Sequence, residues 1–79
     1  MNWRDHIVAD PEVLAGKPVI KGTRVSVQLV LERLADGWSE QDLYRSYPKL
    51  SPEALHAVFA FASDVLRDED YVARGMAAA

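Results

Sequence analysis

The chain has no cysteine. A disulfide and a thiolate metal site, two staples on which a small domain can rest, are therefore excluded. No run approaches the ~20 apolar residues that cross a bilayer. The first residues, Met1-Asn2-Trp3-Arg4-Asp5-His6, lack the apolar core of a signal peptide. No membrane partner is expected, and a cytoplasmic setting fits these absences. With 79 residues the chain makes one domain with a thin core. Association with another chain is then the remaining source of stability, and a homodimer is expected.

Catalytic constellations are also missing. Three of the five serines, Ser26, Ser39 and Ser51, stand at helix-cap positions. No Gly-x-Ser-x-Gly turn occurs, and a reaction pocket is hard to build in so short a chain. His6 and His56 have no partners at metal-ligand spacing. The acidic run Asp68-Glu69-Asp70 reads as a solvated helix end. No catalytic residue, metal or cofactor is expected.

What is present is folded-domain composition, 49% hydrophobic, with an uneven charge of −3. Residues 1–49 carry seven Lys/Arg and seven Asp/Glu, whereas residues 50–79 carry two and five. A polyanion would meet the first part and be repelled by the last.

Two short β-branched runs, His6-Ile7-Val8 and Pro18-Val19-Ile20, flank the punctuators Asp10-Pro11 and Gly16. They predict a two-stranded pairing or a β-arm added to a partner. Three helices follow. Ser26 caps the first, over Val27–Ala35, with Val27, Val30, Leu31 and Leu34 at helical spacing and Gly37 as its stop. Ser39 and Asp42 form a weak version of a capping box for the second, with Trp38 and Leu43 at staple positions. Leu50, Ser51, Pro52 and Leu55 repeat this logic for a third helix running to about Arg67. Its stripe of Leu55, Val58, Phe59, Ala62, Val65 and Leu66, with Ala54, Ala57, Ala60 and Phe61 outside it, predicts burial on more than one side. A dimer contact is expected at Val58, Phe61 and Val65. The bland reading has Phe61 closing over the N-terminal strands. The chain thus divides into a mainly α domain, residues 1–67, and a tail, residues 68–79. The tail is read either as a frayed terminus, the default for chain ends, or as a partner contact for which Tyr71, Arg74 and Met76 are suited anchors.

The run Gly16-Lys17-Pro18-Val19-Ile20-Lys21-Gly22-Thr23-Arg24 holds two glycines, a proline and three cations with no acid. Its order is wrong for a phosphate-cradling loop. Two readings stand side by side. In one, Lys17, Lys21, Thr23 and Arg24 touch nucleic-acid phosphates. In the other the run is a strand and turn, with Arg24 tied to an acid such as Glu32. The second and third helices could form a DNA-reading pair, with Arg45, Ser46, Lys49 and Ser51 at the turn. Against this, the third helix opens with Glu53, Ala54, His56 and Ala57, leaving His56 as its single plausible base reader.

Asp10-Pro11, the Gly16–Arg24 run, Gly37 and Tyr47-Pro48-Lys49-Leu50 together resemble domain-of-unknown-function family four-three-three, described as VapB-type antitoxin-like prokaryotic proteins. The likeness covers about residues 4–66. It implies a three-helix homeodomain-like helix-turn-helix with a short N-terminal β element. It also implies an antitoxin of a type II toxin–antitoxin system, with operator DNA and a PIN-like ribonuclease toxin as partners. The tail would block the nuclease. The alternative is a protein-interaction domain without DNA contact.

Overall fold

The computed structural model describes residues 1–67. The expectations for Tyr71, Arg74, Met76 and the acidic run lie outside those residues. The described chain is mainly helical, with one small sheet.

The two β-branched runs find each other. Strand β1, Ile7–Val8, pairs antiparallel with β2, Val19–Ile20, setting Ile7 opposite Ile20 and Val8 opposite Val19. Strand β2 also folds back on the residues after it. The Ile20 N–H donates to the Val25 carbonyl at 2.8 Å, and the Val27 N–H donates to the Pro18 carbonyl at 3.0 Å. The segment from Pro18 to Val27 is therefore a hairpin whose tip is Lys21–Arg24. Between the strands the backbone makes a left-handed turn, with Leu14 at φ 49° and Ala15 at φ 57°. Neither residue type favours that region, at a cost of about 1–2 kcal/mol each.

Helix α1, Val27–Ala35, starts where Ser26 Oγ accepts from the Leu29 N–H at 2.9 Å. It ends in a Schellman motif. The Trp38 N–H reaches back to the Arg33 carbonyl and the Gly37 N–H to Leu34, both at 3.0 Å, with Gly37 at φ 97°. Helix α2, Glu40–Ser46, opens on a complete capping box. The Asp42 N–H donates to Ser39 Oγ at 3.1 Å, and the Ser39 N–H donates to Asp42 Oδ2 at 2.9 Å. Helix α3, Pro52–Leu66, is capped by Ser51 Oγ, which accepts from the Ala54 N–H at 3.0 Å. Between the helices, Trp38 and Tyr47 stack at 6.3 Å, and the Arg33 guanidinium lies 5.4 Å from the Trp38 ring.

The core joins Ile7 and Ile20 of the sheet to Val27, Val30, Leu43, Leu50, Ala54, Leu55, Ala57 and Val58. The α3 stripe differs from the sequence expectation. Ala54 and Ala57 are buried, because small side chains let the helix approach its neighbours closely. Phe59 is turned to solvent, and Val65 and Leu66 lie beyond the core at the helix end.

Phe61 is half-buried, and Trp3 covers part of it. Trp3, in the 3-10 turn Trp3–Asp5, meets the Phe61 ring edge-on at 4.9 Å. Its indole N–H donates to Asp64 Oδ2 at 2.6 Å. Asp64 also pairs with Arg67 at 3.0 Å. The N-terminal segment is thereby clasped to the second half of α3, close to the bland reading of Phe61.

Candidate nucleic-acid interface

The hairpin divides the Gly16–Arg24 run between two places. Lys17 stands at its open end, beside the start of α1. Lys21 and Arg24 stand at the tip, about 13 Å further along at ~3.3 Å per residue. The tip is held by its own groups. The Lys21 N–H donates to the His6 carbonyl at 2.8 Å. Thr23 Oγ1 donates to the Ile20 carbonyl at 2.8 Å and accepts from the Val25 N–H at 3.0 Å. Thr23 thus uses its hydroxyl to build the turn rather than to present it outward. Gly22, at φ 78°, supplies the left-handed step.

That construction leaves Arg24 exposed, and it makes no ion pair among the described residues. The expected tie to Glu32 does not form. Arg24 instead shares a cleft of about 570 Å³ with Lys49, from the connection between α2 and α3. Gly22 and Thr23 line it too, with Val8, Val13 and Val19 as its apolar wall. Asp10 is the acid in this lining. Its Oδ1 accepts from the Glu12 N–H at 2.9 Å.

Thr23 and Lys49 also line a second cleft, with Ser46, Tyr47 and Pro48. Ser46 in turn borders a third, with Trp38, Asp42 and Arg45. These shared walls make one band from the hairpin tip to the outer face of α2, carrying Arg24, Lys49 and Arg45. Arg45 lies 3.7 Å from Asp42 and is 75% exposed, so the pair leaves its guanidinium open to solvent. Hydrogen bonds from the Ser39 backbone and hydroxyl, aided by Arg45, hold the Asp42 carboxyl below its ordinary range. Its negative charge therefore persists beside Arg45.

The other expected residues fall elsewhere. Lys17 lines a separate apolar groove against Phe61. Ser51 is occupied as the α3 cap. His56 is exposed on α3. Val58 is 0% exposed, which removes it from any face between chains, whereas Val65 is accessible. Sequence reading missed Asp10, taken there as turn punctuation, and Trp38, taken as a staple. It had no signal for the Trp3–Asp64 contact. Among the described residues no group of three or more His, Cys, Asp or Glu could hold a metal ion. No helix of those residues is long and apolar enough to cross a membrane.

The hairpin, the three helices and the band between them lie almost wholly within residues 7–62, which match the family model described as a protein of unknown function, DUF433. The chain belongs to the DUF433 family. An uncharacterized protein, y4eO, of Sinorhizobium fredii (strain NBRC 101917 / NGR234) is 32% identical over 59 residues. That stretch is 75% of this chain and 27% of the relative, so the chain spans about a quarter of the curated relative's length. No solved structure matches the chain. In this DUF433 protein Arg24, Lys49 and Arg45 all fall inside the matched span, whereas Trp3 and Asp64, the two ends of the clasp, fall outside it.

Proposed function

We propose that this DUF433 protein is a cytoplasmic antitoxin of a type II toxin–antitoxin pair, a homodimer that binds operator DNA and a PIN-like ribonuclease. The observation that carries the DNA part is the cleft in which Arg24 and Lys49, two exposed cations from separate loops, face one space. Cations so placed suit successive phosphates, which position a protein on a duplex without reading its sequence. Helices α2 and α3, joined by the five residues 47–51, support a homeodomain-like helix-turn-helix reading. The resemblance to VapB-type proteins supplies the toxin part. In that reading the tail enters the nuclease, and Arg74 pairs with carboxylates that otherwise hold its metal.

The test is fluorescence anisotropy of the full chain with the DNA upstream of its gene, over a range of salt. The double variant Arg24→Ala, Lys49→Ala is expected to weaken binding. It should also lower the slope of log K against log salt by about 0.9 for each phosphate that is no longer neutralised. An unchanged slope would remove the cleft from the DNA interface.

A second reading, a protein-interaction domain without DNA contact, is favoured by one feature. Helix α3 carries no Arg, Lys, Asn or Gln along Pro52–Leu66, and those are the side chains that read bases bidentately. Absence of any DNA binding at low salt would select this reading.

A further inference from the structure

We infer that the groove between α1 and the second half of α3 receives a second copy of this chain, with the end of each α3 seated in the groove of the other. The inference rests on the dimeric reading above and gives it a geometry. Pro18, Val27, Leu31 and Phe61 line the groove, Lys17 and Glu32 are its charged members, and its volume is about 480 Å³.

The occupant is argued from the same helix. Val58 is 0% exposed, yet Val65, two turns later on the same face, is 54% exposed, and Leu66 is 51% exposed. Helix α3 therefore runs past its own core, and Val65 and Leu66 protrude at its end beside the ion-paired Asp64 and Arg67. Phe61, a groove wall, precedes Val65 by one turn, about 6 Å along the axis. A hollow and a protrusion so adjacent on one helix fit each other across a two-fold axis, with two α3 helices antiparallel. A two-fold contact requires self-complementarity, where residue i meets j and j meets i. The charges meet this requirement. Lys17 and Glu32 are both exposed and make no ion pair with one another. Across the axis, Lys17 of each copy faces the carboxylate of the other.

Sedimentation equilibrium on the full chain tests this geometry, with circular dichroism to confirm folding. Val65→Glu alters an exposed side chain and is expected to raise the dimer dissociation constant about tenfold or more, since it buries an unpaired charge. Lys17→Glu and Glu32→Lys are each expected to weaken the dimer several-fold, roughly the effect of like charges set across an interface. The double reversal is expected to restore it. A wild-type chain that stays monomeric at every concentration overturns the dimeric reading and this inference together. A dimer indifferent to Val65→Glu and to both reversals overturns the groove assignment alone. A dimer that survives these changes while nuclease binding fails gives the groove to the toxin instead.

Discussion

Gly22 sits at φ 78°, and apart from its two chain neighbours nothing lies within 4 Å of where a Cβ would project. The only penalty for a side chain there is backbone strain. Gly22→Ala is expected to cost about 1 kcal/mol, the ~1–2 kcal/mol of a left-handed residue less the unfolded-state entropy that alanine saves. The apparent melting temperature should drop by about 4–8 °C, and Gly22→Asn, better suited to that region, should drop less. Equal melting of glycine and alanine forms would show that the tip is not held in this conformation. The residue scale is also where legibility was poorest. The Gly-Thr-Arg string could be read as contact or construction, and the structure divides it. Gly22 and Thr23 make the turn, and Arg24 is left over on the outside. Leu14 and Ala15 gave no warning of their positive φ, because neither carries the local chemistry that marks such a position.

At the scale of elements, the three helices were legible almost to the residue. Their ends are set by groups adjacent in sequence: Ser26 and Gly37 around α1, Ser39 and Asp42 at α2, Ser51 and Pro52 at α3. The capping box of α2 carries a pH dependence. Asp42 has its folded-state pKa lowered, first by the Ser39 backbone N–H and then by the Ser39 hydroxyl. A depressed carboxyl contributes stability above its ordinary pKa and loses it as pH falls through the folded value. The wild type should therefore exceed Asp42→Asn in thermal stability at neutral pH, and the gap should close in acid below the ordinary 3.8. A gap that persists unchanged into acid would mean that the charge of Asp42 plays no part in the box. The facing of α3 was only partly legible. Periodicity marked its apolar side but could not show where along the helix the core would run out, because that depends on the strands and turns packed beside it.

At the scale of the whole molecule, folding brings Arg24, Lys49 and Arg45, from separate stretches of sequence, to the linings of adjoining clefts that Asp10 and Asp42 share. The contact that sequence could not foresee joins the two extremes of the described chain. Trp3 and Asp64 are 61 positions apart, and their hydrogen bond, with the Trp3–Phe61 ring contact, closes a loop around nearly the whole fold. Such a loop is the most expensive to close in conformational entropy, whereas the capped helices need only local contacts. The clasp should then form after the rate-limiting step. Trp3→Ala is expected to speed unfolding and to leave the folding rate nearly unchanged in denaturant-jump kinetics. A matching slowdown in folding would place the clasp in the nucleus instead. Late closure also sets the order of opening. The turn around Trp3 should detach from α3 while the helices still stand, so exchange of the indole hydrogen should outpace that of the buried amides of α1 and α3.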